Sequence, residues 1–359
     1  MMLLIIVGTT ISAQAQDEKL FNPKAIEKTM LKAAKWQFNH PKHELYEWTN
    51  GALYVGVNAA YNVTGSKKLY KEMIQMGEAN EWKAGPRLHH ADDHVICQTY
   101  IDLYRIDKDS AMIRPFIETM DDFMNTPYPK EFPLRPLTWW WCDALFMGPP
   151  AYVKLGVTLD DDKYLKLNDT LYKECFDLLF DKEEHLFARD IRFKMDQEEI
   201  LKEANGKKIF WSRGNGWVMG GLALVLQELP QDYENRTFYE KVFKLMAAKI
   251  ASIQQEDGLW RASLLDPDAY PGGEASGSGF YCYALAWGVN SGLLSKSEYL
   301  PHVKRAWIGL NSLIQKDGRV GWVQPIGADP RKNFSASSWE VYGTGAFLLA
   351  GSELMKLKD

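Results

Sequence analysis

One short stretch places a carboxylate where a carboxylate is expensive to keep charged. In Trp139-Trp140-Trp141-Cys142-Asp143-Ala144-Leu145-Phe146-Met147, three indoles lead to Asp143 and an apolar run follows at once. Burial disfavours the charged form and raises a carboxyl pKa, so Asp143 reads as a proton donor in an aromatic, sugar-binding pocket. The competing reading is an Asp at a helix N-terminus, satisfied by backbone amides, with aromatics that only fill a core.

Three other stretches carry chemistry-bearing residues. His89-His90-Ala91-Asp92-Asp93-His94 precedes an apolar run, Val95–Tyr100, which puts both aspartates in the first turn of a helix. They could ligate a metal, complement the helix dipole, or support catalysis; Asp93 is preferred for the last role because it adjoins His94. Trp211-Ser212-Arg213-Gly214-Asn215-Gly216-Trp217 sets a cation and an amide between two indoles. Arg213 there can take a carboxylate bidentately or stack on a ring; alternatively it ties adjacent loops together through their carbonyls. Gly272–Gly279 is either an anion-accepting turn of backbone amides or a plain flexible loop. No GxSxG, P-loop or HExxH occurs, and Gly214-x-Gly216 lacks the strand and third glycine of a dinucleotide site.

The elements that must position these residues alternate strictly. Amphipathic helices are expected over Pro23–Phe38, Lys67–Ala79, Ser110–Asn125, Asp162–Phe180, Arg236–Gln255 and Ser297–Gln315, where apolar residues recur at steps of three and four. Segments apolar on most sides lie between them, over Tyr46–Tyr61, Asp92–Tyr104, Trp141–Leu155, Trp217–Leu229, Gly279–Val289 and Gly343–Met355. Helices apolar all round are buried. Six wet helices outside and six dry ones inside describe an all-α (α/α)6 barrel, a toroid of helical hairpins. Strand signals are confined to short pieces such as Arg319–Val323. The odd chemistry gathers at inner-helix starts, which share one rim in such a toroid, so it belongs to one funnel.

Composition narrows the field. The 359 residues are 46% hydrophobic and 25% charged, as in ordinary globular proteins, with 13 Trp. A net charge of −5 offers no basic footprint for nucleic acid. Cys97, Cys142, Cys175 and Cys282 are too scattered for zinc or a disulfide framework, and read as buried thiols. The apolar start ends in Ala13-Gln14-Ala15, the small-x-small pattern of a signal-peptidase site, although a basic n-region is missing. A cleaved leader over residues 1–15, a single domain over 16–359 and export to the periplasm are expected, with no membrane contact in the mature form.

Taken together, Trp140–Met147, Trp211–Trp217 and the Asp93-His94 pair resemble the unsaturated rhamnogalacturonyl hydrolases of glycoside hydrolase family 105, relatives of the family 88 unsaturated glucuronyl hydrolases. The resemblance runs in the same order from the first helix pair to the C-terminus. It implies an (α/α)6 barrel and action on the Δ4,5-unsaturated uronic acid that polysaccharide lyases leave at a non-reducing end, by hydration of the C4=C5 bond. It implies no metal and no organic cofactor. Asp143 matches that family's acid/base aspartate and Asp93 its second aspartate; Arg213 and Trp217 match its substrate-binding element. Trp211, Asn215, Trp141 and His94 join them as candidate binding residues. Where some members carry a histidine, this chain has Phe187-Ala188-Arg189-Asp190, so Arg189 is a candidate and the sugar after the uronate is open. Two other functions remain: a two-carboxylate glycosidase on saturated sugars, and a carbohydrate-binding toroid without catalysis.

Overall fold

The computed structural model describes residues 19–129, 135–194 and 201–357; the leader expected over residues 1–15 lies outside them. The outer helices are α1 (Pro23–Phe38), α3 (Lys67–Ala79), α5 (Arg114–Asn125), α8 (Asp162–Leu179), α10 (Arg236–Ser252) and α12 (Lys296–Ser312). The inner ones are α2 (Trp48–Thr64), α4 (Cys97–Asp107), α6 and α7 (Ala144–Met147 and Pro149–Leu159), α9 (Ser212–Glu228), α11 (Ala275–Asn290) and α13 (Val341–Leu354). The only two-stranded ladder among the described residues pairs Phe180–Asp181 with Leu186–Phe187. The strand expected at Arg319–Val323 reduces to a single bridge between Ile314 and Val320.

Burial follows the sequence periodicity. On α3 the buried large residues are Leu69, Met73 and Met76, and on α5 Phe116, Met120 and Phe123; each set is one stripe at steps of three and four. By contrast every residue of α11 from Ala275 to Val289 is buried. The inner helices pack in a closed ring, α2 on α4, α4 on α7, α7 on α9, α9 on α11, α11 on α13 and α13 back on α2. The seam between α2 and α13 depends on two glycines. A Cβ on Gly56 would lie 2.2 Å from the Gly345 carbonyl oxygen, so no larger residue fits there without moving a helix.

The third inner helix is broken between Met147 and Pro149. Proline has no N–H to donate and its ring clashes with the preceding turn, so α7 restarts with Pro149 at its first position. The break leaves Asp143 just before a single four-residue turn.

The two ends of the toroid differ. At inner-helix C-termini the chain reverses tightly through left-handed residues Gly65, Lys108 and Asp160, with φ of 63°, 60° and 53°. A cavity of about 310 Å³ at that end is lined by Asp102, Arg105, Lys154 and Glu228. These charges satisfy one another: Arg105 Nη1 lies 2.9 Å from Glu228, and Lys154 pairs with Asp102. The N-terminal end carries long connections instead, and the candidate residues sit there.

Candidate active site

Asp143 precedes α6, but its side chain makes no capping bond. The chain around it is held from across the rim: Trp141 bridges Asp190 in antiparallel sense, and Cys142 N–H donates to the Arg189 carbonyl at 2.9 Å. That pairing lays Arg189 alongside the carboxyl, with Nε 3.2 Å from Asp143 Oδ2. Arg189 Nη1 also donates to Asp190 Oδ2 at 2.8 Å, and Asp190 is held further by Arg192. Asp143 is 8% exposed. Burial raises its pKa above the ordinary carboxyl value; Arg189 and Arg213 pull against that rise and Asp190 adds to it. The result is an acid that keeps its proton to higher pH, beside a cation that can take up its negative charge once the proton leaves.

The two aspartates of the second stretch differ in their partners. Asp93, preferred from sequence, is locked by Arg87: its Oδ2 accepts from Arg87 N–H at 2.6 Å, and its Oδ1 receives the Arg87 guanidinium through Nε at 3.0 Å and through Nη2. A Cβ on Gly85 would collide with the Asp93 carboxyl at 2.6 Å, so this loop is built around it. Asp92 is the residue whose carboxyl feels Asp143. Burial first, then the Asp143 charge, raise its pKa to about 7, against the pull of Arg87 and Arg189. It accepts no hydrogen bond among the described residues, and the neutral His90 ring lies beside it, Nδ1 to Oδ2 at 3.6 Å. Adjacent positions on one turn face different ways, and the sequence does not say which.

The three neighbouring histidines diverge. His89 Nε2 contacts the Thr126 carbonyl at 2.8 Å, His90 lies against the Trp141 ring with centroids 4.5 Å apart, and His94 Nδ1 meets the Tyr152 hydroxyl at 2.8 Å. His94 is fully buried below the rim, and burial lowers its pKa to about 4, leaving it neutral. Its ring packs against Phe116, Phe123 and Tyr152. Among the described residues no group of three or more His, Cys, Asp or Glu is placed to hold a metal ion.

Arg213 takes the loop-tying role. Its Nη1 and Nη2 donate to the carbonyls of Gln324 and Pro325 at 2.7 and 2.9 Å, and its guanidinium carbon lies 4.3 Å from the Trp211 ring centroid and 4.9 Å from that of Tyr342. At 1% exposure it reaches Asp143 only through its field. Trp211 Nε1 donates to Gln324 Oε1 at 2.7 Å. Asn215 clasps Phe187, accepting its N–H at 2.8 Å and donating to its carbonyl at 3.0 Å, which fixes the segment carrying Arg189. Trp217 is core, packed on Trp48, Phe146 and Phe280. The Gly-Ser stretch is also not a free loop. α11 begins at Ala275, and the Glu274 carboxylate already accepts the Ser276 and Gly277 amides, leaving those donors unavailable to an anion.

Trp140, which sequence inspection did not single out from its neighbours, is one of the aromatics left partly exposed. It is half-buried, with the Arg135 and Arg189 guanidiniums 5.0 and 5.6 Å from its ring centroid. Trp141, by contrast, is buried between His90 and the 190 segment.

A helical toroid whose inner rim holds two coupled carboxyls, one beside an arginine, is the frame of a glycoside hydrolase. Residues 23–358 match the model of Glycosyl Hydrolase Family 88, and the chain belongs to that family. It is 46% identical over 368 aligned positions to an unsaturated 3S-rhamnoglycuronyl hydrolase of Formosa agariphila, covering 99% of this chain and 97% of that one. Among solved structures it is similar to a family 88 glycosyl hydrolase from Bacteroides vulgatus, with a TM-score of 0.86 and 32% identity over 94% of this chain and all of that one. A structure named a polysaccharide lyase matches as well, with a TM-score of 0.85 and 34% identity over 93% of this chain and 97% of that one.

Proposed function

We propose that this enzyme removes a Δ4,5-unsaturated uronic acid from the non-reducing end of lyase-generated oligosaccharides, with Asp143 as the proton donor. The observation that carries this reading is the uncapped, buried Asp143 carboxyl with Arg189 3.2 Å away. Asp143 gives its proton to C4 while the C4=C5 electrons form the new C–H bond. Water adds to the resulting cation at C5 and passes a proton back to the Asp143 carboxylate. The C5–O5 bond of the hemiketal then breaks, C5 becomes a ketone, and C1 is left as a hemiacetal that expels the neighbouring sugar as an alcohol.

Asp92 rather than Asp93 serves as the second carboxyl, orienting the water. Arg189 steadies the Asp143 carboxylate after proton transfer and faces the substrate carboxylate; Nη1 and Nη2 of Arg213 already donate to loop carbonyls. The name of the Formosa agariphila relative, an unsaturated 3S-rhamnoglycuronyl hydrolase, supports a rhamnose as the sugar after the uronate. The small-x-small pattern Ala13-Gln14-Ala15 supports a cleaved leader ahead of a single domain from residue 16, and a periplasmic enzyme.

The test is to incubate the protein with lyase products and follow the ultraviolet absorbance of the unsaturated uronate. Loss of absorbance with release of the next sugar supports the reading. A gain of absorbance from intact polymer would instead make it a lyase, and binding with no product a non-catalytic toroid. Turnover of chemically saturated oligosaccharides at equal rate would make it an ordinary two-carboxylate glycosidase.

A further inference from the structure

Cys142 stands between the aromatic run and the acid, and none of the steps above uses it. Its thiol is completely buried and lies 3.7 Å from Asp143 Oδ2, placed to donate to that oxygen. We propose that Cys142 is a positioning residue for the acid: its thiol and the Arg189 guanidinium together reserve Asp143 Oδ2 for the negative charge, so that the proton given to C4 leaves from Oδ1. The proposal rests on the reading of Asp143 as the proton donor and names the oxygen from which it acts.

Both donors meet the same oxygen. Arg189 Nε lies 3.2 Å from Oδ2, and among the described residues no side chain donates to Oδ1. An acid proton on Oδ2 would sit against two other hydrogens that carry positive charge. On Oδ1 it leaves Oδ2 as a carbonyl oxygen with two lone pairs, which can accept both. The two donors are also held in register: Cys142 N–H donates to the Arg189 carbonyl at 2.9 Å, tying the residue that carries the thiol to the one that carries the guanidinium. Gly214 closes the seat from α9. A Cβ there would lie 3.2 Å from Cys142 Sγ, so a larger residue would crowd the sulfur.

The weakness of the donor suits the task. A thiol donates feebly, so it steers Oδ2 without drawing the acid into its ionised form, as a hydroxyl there would. It also keeps its own proton: burial, with the Asp143 charge adding to it and Arg189 opposing, pushes the Cys142 thiol well up. The other groups that act on Asp143 come from several sides. Arg189 and Asp190 belong to the segment after α8, Arg213 to α9 and Asp92 to the turn before α4, while the Asp143 backbone N–H pulls toward the carboxylate. Cys175, on α8, is a second buried thiol, raised by burial and then by the Asp143 charge. Of these side chains only Arg189 lies within ion-pair distance of the carboxyl. The choice between the two oxygens is therefore left to Arg189 and Cys142.

Two measurements test this. Infrared difference spectra between the parent and Cys142→Ala or Cys142→Ser isolate this S–H stretch from those of the other cysteines, without catalysis. The band should move to lower frequency as pH is raised through the Asp143 titration, because a carboxylate accepts more strongly than a carboxyl, and should ignore pH in an Asp143→Asn background. The second measurement is kcat against pH on an unsaturated uronyl disaccharide, beside a thermal melt. Cys142→Ser supplies a stronger donor, lowers the Asp143 pKa and should move the alkaline limb down by about half a pH unit. Cys142→Ala supplies none and should move it up by a similar amount, with KM little changed in both. Lost packing alone lowers Tm and does not drive the two limbs apart. A band indifferent to pH in the parent, or limbs not displaced in these opposite directions, overturns the proposal. If the disaccharide is not turned over while the band follows the Asp143 titration, the hydrolase reading fails and the thiol contact stands.

Discussion

Arg189 Nε lies 3.2 Å from Asp143 Oδ2, and the same guanidinium donates to Asp190 at 2.8 Å, so one arginine joins the buried acid to a permanently paired carboxylate. Asp190, held well ionised by Arg192 and Arg189, anchors the cation. Asp143, raised by burial, is the partner whose charge can come and go. That asymmetry suits a group that must hold a proton at rest and bear a negative charge after giving it up.

Replacing Arg189 by Gln should therefore move the pH profile in a definite direction. A neighbouring cation favours the carboxylate, so its loss raises the Asp143 pKa further and keeps the acid protonated to higher pH. The alkaline limb of kcat should shift upward, while kcat at its maximum falls about 10- to 100-fold because the carboxylate loses its partner. KM should rise as well if the substrate carboxylate faces the same guanidinium. An alkaline limb that moves downward would contradict this placement.

Asp92 gives a stability prediction of opposite sense to its effect on rate. Its folded pKa of about 7 lies above the value in an unfolded chain. Between roughly pH 4 and 7 the unfolded state loses this proton and the folded state keeps it, so this group lowers stability as pH rises through that window. Asp92→Asn should raise Tm at pH 7.5 by a few degrees, with the gain shrinking toward pH 4, and should cut kcat at least about 10-fold. Asp93→Asn should lower Tm instead, because it breaks the bidentate Arg87 clasp and leaves the guanidinium against a neutral amide. Thermal melts of both variants across pH separate the two aspartates.

Arg213→Ala should act on the fold. It frees the carbonyls of Gln324 and Pro325 and opens a gap between the rings of Trp211 and Tyr342, in a site with almost no exposure. Losses of this kind cost about 3 kcal/mol or more, which a fall in Tm of several degrees would report. Arg213→Lys should rescue little, since one ammonium cannot serve two carbonyls and lie flat between two rings. A variant with unchanged Tm and a raised KM would return Arg213 to direct substrate binding.

How far the sequence could be read follows from what each signal depends on. The alternation of one-sided and all-round apolar helices depends only on which faces are buried, and the ring of six pairs follows from it. The inner-helix starts moved both ways: α2, α4 and α6 begin later than expected, and α9, α11 and α13 earlier. α9 starts at Ser212 and α11 at Ala275, because Arg213, Asn215 and Ser276, polar in sequence, are satisfied inside the rim by carbonyls and by Glu274. The same effect misled the site reading. Arg213 and Asn215 look like ligand-binding groups, yet their partners are backbone atoms more than a hundred residues away, at Gln324, or on the neighbouring loop, at Phe187. Asp92 and Asp93 differ by one step on a single turn, and the Arg87 clasp on Asp93 is what sets them apart. The Arg87–Asp93 spacing was present in the sequence as a clue, but nothing local marks it as a pair.

The most direct test of the central claim is the Asp143→Asn variant, assayed on an unsaturated uronyl disaccharide beside a thermal melt. An amide keeps the shape and burial of the side chain but has no acidic proton to give. The account predicts a folded protein, with Tm equal to or slightly above that of the parent, and kcat for loss of the unsaturated chromophore reduced about 10³-fold or more. A folded Asp143→Asn protein that consumes the chromophore within about tenfold of the parent rate would contradict it.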